Sequence, residues 1–288
     1  MSVALIVLLV AVLAASCTAA WSMSRDAASD PIDPEAEERW LVAKARTHPR
    51  LRAYLRRRTD RATAGGLLLT LSFLVVFSTA FVVGLVLDLV DSNEAVEELD
   101  ESVSEWGSNH ASSGAADLMK SITHLGGTKV LVVVLVAVGL IDYALHRRRE
   151  VLMFLAVVGI GQAVLSNLLK LIIDRERPSV LHLTGASGSS FPSGHSTAAA
   201  ACWAAVALVL ARYAGRRGRA VAGAAAAFIA LAVGASRALL GVHWVTDVVA
   251  GLALGWGWFT VVAIAFGGRR QRLGEPAERV AAVSGQGA

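Results

Sequence analysis

Three short segments of the sequence place charged or imidazole side chains at the ends of apolar runs, where such groups are costly unless they have a function. The first contains Lys170, followed by Arg177 and Pro178. The second is the segment 191–196, which reads FPSGHS, and the third is the segment 236–247. Each segment alone also has an ordinary structural explanation, namely a cation that anchors a helix end, a helix cap, or a structural His–Asp pair.

The segment 191–196 predicts an anion site. Its proline and glycine make a tight turn directly before an apolar run. Such a turn gathers backbone N–H groups, the Ser193 hydroxyl and the positive end of a helix dipole at one place. His195 then lies in the first helical turn, where its imidazole can give or take a proton.

The third segment predicts a nucleophile. His243 and Asp247 are four residues apart and share one face if the segment is helical. The Asp247 carboxylate can then accept the N–H of one ring nitrogen, which leaves the other unprotonated. With Lys170, Arg177 and Arg237 as fixed cations, the set predicts phosphoryl transfer without a metal. That reaction needs mainly positioning and neutralisation of charge on the phosphoryl oxygens.

A largely apolar chain must position these segments. The 288 residues are 55% hydrophobic and 17% charged, with a mean hydropathy of +0.57. In lipid every backbone polar group must be bonded internally, so the apolar runs predict helices. We therefore expect an all-α polytopic membrane helix bundle with six core transmembrane helices and one extra N-terminal helix. The runs cover about 2–21, 67–87, 129–145, 151–169, 196–211, 220–236 and 247–266.

Basic residues predict the orientation of these helices, because Lys and Arg are enriched in cytoplasmic loops. The loops at 170–195 and 237–246, which hold the three motifs, then lie on the extracytoplasmic side of the plasma membrane. The loop 88–120 is acidic and belongs on the same side. No basic stripe interleaves with aromatic residues, which argues against a nucleic-acid partner. The basic clusters fall at about 56–61, 147–149, 212–219 and 269–272.

The acidic loop also shows helical periodicity. Val96, Leu99, Val103 and Trp106 recur at helical spacing. This pattern predicts a short amphipathic helix that lies on the outer membrane surface. We expect the acidic residues of the loop to form its solvated face.

The order of the motifs resembles a known family. Lys-x6-Arg-Pro, then Pro-Ser-Gly-His, then Ser-Arg-x5-His-x3-Asp resemble the type 2 phosphatidic acid phosphatase superfamily. The resemblance covers about residues 67–266, and the motifs lie within 170–247. One departure is Glu176, where the family often has a neutral residue or proline. We expect Glu176 and the nearby Asp174 to pair with Arg175 or to lower the positive potential.

The resemblance implies a role for each matching residue. His243 would attack phosphorus and form a phosphohistidine, Asp247 would orient it, and His195 would protonate the leaving oxygen and then help to activate water. No metal or other cofactor is implied for hydrolysis. The implied phosphate-binding residues are Lys170, Arg177, Ser193, Gly194 and Arg237.

The predicted partners are the bilayer and a lipid phosphate or diphosphate, with undecaprenyl diphosphate as the first expectation. Phosphatidylglycerol phosphate and phosphatidic acid are alternative substrates. A phosphotransferase of the same superfamily, a non-catalytic lipid-binding or transport protein and a vanadate-dependent oxidase are alternative functions. The sequence does not give the oligomeric state.

The sequence also divides into regions by composition. Residues 1–22 are an apolar segment, either an extra transmembrane helix or a signal-like sequence, and residues 268–288 predict a disordered cytoplasmic tail. Residues 23–64 form a cytoplasmic linker with a basic segment at 39–61, and residues 65–267 form the membrane phosphatase domain.

Overall fold

The computed structural model describes residues 61–273, and within that range the chain is helical without strands. The predictions for the segment 1–22, for the basic segment 39–61 and for the end of the tail therefore lie outside the described residues. The eight described helices are α1 Arg61–Ser92, α2 Glu94–His110, α3 Ser113–His124, α4 Thr128–His146, α5 Arg149–Ile172, α6 Gly194–Ala211, α7 Arg216–Leu239 and α8 Val245–Leu273.

The prediction of an all-α membrane bundle is confirmed. Helices α4, α5, α6, α7 and most of α8 are each long and apolar enough to cross a bilayer. Helix α1 packs against α8 and contains the apolar stretch Leu74–Asp88. Apolar side chains such as Val133 and Leu145 stay exposed on the outside of the bundle, as expected where lipid is the solvent. Helix α8 ends at Leu273, beyond the boundary predicted at residue 267.

Helix α6 is the centre of the bundle and packs against α4, α5, α7 and α8. Its residues 198–202 are almost completely buried, and all are alanine or cysteine. Across the interface, a Cβ atom added at Gly255 would lie 2.3 Å from the carbonyl oxygen of Thr197. Small residues on both helices thus let two backbones approach closely, which is how membrane helices gain packing energy without a hydrophobic driving force.

The acidic loop differs from its prediction. It forms two helices, α2 and α3, and α2 docks on the bundle through Asp100, Ser104 and Gly107, which are buried. A Cβ atom at Gly107 would lie 2.5 Å from the carbonyl oxygen of Leu239, so this approach requires glycine. Leu99 is 52% exposed. The prediction that the acidic residues are all solvated is therefore wrong for Asp100, because a polar and small stripe faces the protein.

The helix directions bring the three motifs together. Helices α5 and α7 end, and α6 and α8 begin, at one end of the bundle. Lys170 and Arg237 lie in the last turns of α5 and α7, while Asp247 lies in the first turn of α8. Because neighbouring helices are antiparallel, residues that are remote in sequence lie together in a single region.

Candidate active site

Arg177 connects the segment after α5 to the segment before α8. Its Nε and Nη2 atoms donate to the carbonyl oxygens of Gly188 and Ser187 at 2.9 Å each. Its Nη1 atom donates to the Val242 carbonyl oxygen at 2.6 Å and lies 3.4 Å from His243 Nε2. The first and third motifs therefore meet at this guanidinium.

Lys170 connects the end of α5 to the turn before α6. Its Nζ atom donates to the carbonyl oxygen of Ser189 at 2.6 Å and lies 3.5 Å from that of Ser190. The charges of Arg177, Asp247 and Arg237 all act on this ammonium group. Lys170 thus stands among the other charged residues of the motifs.

The turn before α6 caps that helix and contacts α8. Ser193 is the N-cap residue, and its Oγ atom accepts from the Ser196 N–H at 3.4 Å and from the Ser196 hydroxyl at 2.8 Å. The Ser193 N–H donates to the Asp247 carbonyl oxygen at 3.0 Å. Gly194 begins the helix, and His195 follows it as a half-buried residue in the first turn. Ser193 therefore caps α6, and the same turn brings the second motif into contact with the third.

His243 and Asp247 form a buried pair at the start of α8. The imidazole is 3% exposed, and its Nδ1 atom lies 3.5 Å from Asp247 Oδ2. His243 lies in the turn before the helix instead of on it. Asp247 faces this turn because its Oδ2 atom accepts the Trp244 N–H at 3.0 Å. The predicted pairing therefore arises from a capping turn and not from a shared helix face.

The surroundings of His243 favour a neutral ring. The pKa of His243 falls from 6.5 to about 4 because burial and, to a smaller extent, the charges of Arg237 and Arg177 lower it more than Asp247 raises it. An Arg177 N–H directed at Nε2 requires a lone pair there, which assigns the ring proton to Nδ1 on the Asp247 side. The nitrogen next to the cations is therefore the one that can act as a nucleophile.

Arg237 approaches the same region from α7. Its side chain is buried, and its Nη1 atom donates to the Thr123 hydroxyl at 3.2 Å. Within the described part of the chain, its Nε atom has no hydrogen-bond partner. A buried N–H donor of this kind is one that an anionic oxygen would satisfy. His195 of the second motif lies close enough to feel the charges of Arg237, His243, His124 and Lys170. The second motif therefore lies beside the charged residues of the first and third motifs.

Comparison with known proteins identifies the family. The PAP2 superfamily model matches residues 150–271. Phosphatidylglycerophosphatase B of Bacillus subtilis (strain 168) is 33% identical over 177 residues, which are 61% of this chain and 87% of that protein. The chain belongs to the PAP2 superfamily. The prediction of an integral membrane phosphatase, a phosphoric ester hydrolase, is thereby confirmed.

Two further similarities agree with this assignment. The crystal structure of the first transmembrane PAP2 type phosphatidylglycerolphosphate phosphatase from Bacillus subtilis superposes with a TM-score of 0.62 at 29% identity. The superposed part covers 70% of this chain and 98% of the Bacillus subtilis chain. A lipid A 1-phosphatase of Rhizobium etli is 41% identical over 122 residues, which are 38% of this chain and 47% of that protein. The PAP2 fold is thus shared along almost the whole of one solved relative.

Two further residues of the PAP2 protein, Arg175 and Asp100, contact the site, and Asp100 had not been predicted to take part in it. Arg175 Nη1 donates to Asp247 Oδ1 at 2.7 Å, and Arg175 Nη2 donates to Asp100 Oδ2 at 3.0 Å. The first of the two alternatives, that Arg175 pairs with Asp174 or Glu176, is therefore wrong, because buried carboxylates from two other elements bind both of its ends. The second, that these acids lower the positive potential, stays a prediction. A signal was present in α2, where Asp100, Ser104 and Gly107 recur at helical spacing as a polar and small stripe.

The described residues of this PAP2 protein contain no group of three or more His, Cys, Asp or Glu side chains arranged to hold a metal ion. Arg175 holds both the carboxylate of Asp247, which lies beside the candidate nucleophile, and the carboxylate of Asp100. The guanidinium of Arg175 therefore lies between these two carboxylates and supplies their positive partner.

Proposed function

We propose that this PAP2 protein removes a phosphate group from a lipid phosphate through a phosphohistidine formed on His243. The observation that carries the proposal is the orientation of His243, whose Nε2 atom lies 3.4 Å from Arg177 Nη1 while its Nδ1 atom lies 3.5 Å from Asp247 Oδ2. Binding alone needs cations but no oriented imidazole, so this arrangement favours catalysis over a lipid-binding or transport role.

The cations supply the charge neutralisation. Lys170, Arg177 and Arg237 would contact the phosphoryl oxygens, and the unpartnered Nε of Arg237 is the donor freest to do so. The Gly194 N–H and Ser193 at the start of α6 would add the positive end of a helix dipole. Fixed dipoles and cations of this kind stabilise the charge that develops on the equatorial oxygens, which is the main requirement of phosphoryl transfer.

The reaction would proceed in two steps. His243 Nε2 bonds to phosphorus as the bond from phosphorus to the lipid oxygen breaks, and His195 gives its proton to that oxygen. Asp247 balances the positive charge that the phosphorylated ring acquires. Water then attacks phosphorus, His195 takes a proton from it, and the P–N bond breaks to release inorganic phosphate and neutral His243.

We further propose that the site faces the extracytoplasmic side of the plasma membrane. The basic loops at 147–149 and 212–219 lie at the end of the bundle opposite to the motifs. Since basic loops stay in the cytoplasm, the motifs would face outward. A Ser179→Cys variant made without Cys17 and Cys202 should react with an impermeant thiol reagent in intact cells. A matched Arg217→Cys variant should react only after lysis, and the opposite pattern would reverse the orientation.

Phosphatidylglycerol phosphate is the substrate that we place first, because the relative named for it is covered over 87% of its length. Undecaprenyl diphosphate, placed first on the sequence alone, stays a prediction, as does phosphatidic acid. A phosphate-release panel across these three lipids in detergent, with excess chelator present, tests both substrate and mechanism.

Release should occur in chelator and should be abolished in His243→Ala, with the folded state checked by its melting temperature. Near-native turnover in that variant would exclude the proposed nucleophile. Strict dependence on added magnesium would count against the site formed by cations alone. Transfer of phosphate to a labelled alcohol acceptor in place of water would identify the alternative, a phosphotransferase.

A further inference from the structure

Asp100 lies seventy or more residues from the motifs but contacts the structure that surrounds His243. Its side chain is 2% exposed. Its Oδ2 atom accepts from Arg175 Nη2 at 3.0 Å, and its Oδ1 atom accepts the Thr246 N–H at 3.0 Å. The Thr246 hydroxyl also donates to Asp100 Oδ2. A buried carboxylate from the docked helix α2 is therefore fully engaged at the start of α8.

Arg175 joins this carboxylate to Asp247. Its Nη1 atom donates to Asp247 Oδ1 at 2.7 Å, and the guanidinium lies 5.4 Å from the centre of the Trp244 ring. The other oxygen of Asp247 lies 3.5 Å from His243 Nδ1. The four groups Asp100, Arg175, Asp247 and His243 thus form a chain whose charges alternate in sign once the histidine becomes positive.

We propose that Asp100 is a positioning residue which, by pairing with Arg175, leaves the negative charge of Asp247 available to His243. The inference rests on the proposed function, since it assigns a task to the same nucleophile. Arg175 alone, at 2.7 Å from Asp247, would cancel much of the field of that carboxylate at the imidazole. Asp100 balances the guanidinium from its other side, where water screens little because both carboxylates are buried.

The charge balance between Arg175 and Asp100 matters for the proposed attack of His243 on phosphorus. Attack by His243 Nε2 on phosphorus places positive charge on the ring, and the only carboxylate in contact with the ring among the described residues is that of Asp247. The other charged or titratable groups acting around His243 are Arg177, Arg237 and His195, all of which oppose that positive charge when protonated. A phosphohistidine therefore depends on the full field of Asp247.

Anchoring of α2 is the competing explanation, because Asp100 also bonds Thr246. The two roles differ in what they change. Loss of anchoring lowers stability and affects the whole site, whereas loss of charge balance acts on the ionisation and reactivity of His243. Gly107→Ala perturbs the docking of α2 without altering charge, since its Cβ would lie 2.5 Å from the Leu239 carbonyl oxygen. It is the matched control.

The test compares Asp100→Asn with Gly107→Ala in the full-length protein, using phosphate release from the best lipid of the panel. We expect Asp100→Asn to lower kcat by about tenfold, the size of a typical coupling between neighbouring charges, with little change in KM. Its acid limb in kcat should move to lower pH, because a weaker negative field lowers the pKa of His243. Gly107→Ala should lower the melting temperature and leave that limb in place.

A double variant gives an independent readout. Replacing both charges, in Asp100→Asn with Arg175→Gln, should recover part of the kcat that Asp100→Asn loses, because the net charge beside Asp247 returns to zero. The inference is overturned if Asp100→Asn keeps the wild-type pH profile and kcat, or if the double variant is slower than the single one. Activity in His243→Ala would instead overturn the proposed function, so the two failures are distinguishable.

Discussion

Arg177 Nη1 lies 3.4 Å from His243 Nε2, while the other bonds of the same guanidinium reach four backbone carbonyl oxygens. The residue therefore both fixes the loop at 187–189 against the segment before His243 and brings positive charge to the candidate nucleophile. Few side chains other than arginine have enough donors in a planar fork to do both.

Replacement of Arg177 by lysine should lower kcat/KM for phosphate release by roughly 10²–10³-fold, the cost of removing one preorganised donor from a charged transition state. Lysine keeps the charge but cannot hold the carbonyl oxygens and a phosphoryl oxygen together. The measurement is steady-state phosphate release. Arg217→Lys, an exposed replacement at the other end of the bundle, should be neutral. Equal activity of the two variants would contradict the role of Arg177.

The pH profile should reflect a buried imidazole. Burial lowers the pKa of His243 from 6.5 to about 4, so Nε2 stays unprotonated and nucleophilic as the pH falls through 6.5. We expect the acid limb of kcat/KM to lie near pH 4, since kcat/KM reports the groups of the free enzyme, to which this pKa belongs. An acid limb at about pH 6.5 that the replacement of no other residue removes would instead indicate that His243 is an ordinary, solvated histidine.

His195 should affect leaving groups unequally. His195→Ala should lower the rate with a lipid phosphate by roughly 10²–10⁴-fold, the usual contribution of a general acid or base. The loss should be smaller with p-nitrophenyl phosphate, whose leaving group departs without a proton. With p-nitrophenyl phosphate, the phosphoenzyme of His195→Ala should also accumulate in a rapid-quench experiment. The first step stays fast with this substrate, whereas the second step lacks the residue that would activate water. Equal losses on both substrates and no accumulation would argue for a purely structural role.

The packing of α6 against α8 should tolerate no side chain at Gly255. Gly255→Ala places a Cβ atom 2.3 Å from a backbone carbonyl oxygen, which cannot rotate away. We expect a destabilisation of about 1–3 kcal/mol, as for other overpacked interiors, measured as a lower melting temperature in detergent. Gly84→Ala in α1, where no atom lies within 4 Å, is the matched control and should melt like the wild type.

Much of the architecture could be predicted because lipid allows few solutions. The apolar runs at 129–145, 151–169, 196–211 and 220–236 all lie inside described helices, since a backbone in the bilayer must bond to itself. The start of α6 was also predictable, because Pro192, Ser193 and Gly194 combine a turn with an N-cap. These features depend on local sequence and on the solvent, not on distant contacts.

The acidic loop shows where this reasoning stops. Its apolar periodicity correctly indicated a helix at 94–110, and Val103 packs against the core, but the periodicity did not indicate that α2 also docks through Asp100 and Gly107. Docking of a polar stripe depends on the shape and charge of the surface it meets. That surface is built by α7, α8 and Arg175, and no window of the sequence contains them all.

The order and spacing of the charged and imidazole residues were enough to indicate which side chains are suited to handle phosphate, and the apolar runs were enough to indicate helices that cross a membrane. Only the tertiary structure decided that Arg175 bridges Asp100 and Asp247, and that His243 directs Nε2 toward Arg177. The physical reason is that helix formation follows from nearest neighbours and solvent. Ion pairing between groups 70 or more residues apart in the chain follows from how the helices pack.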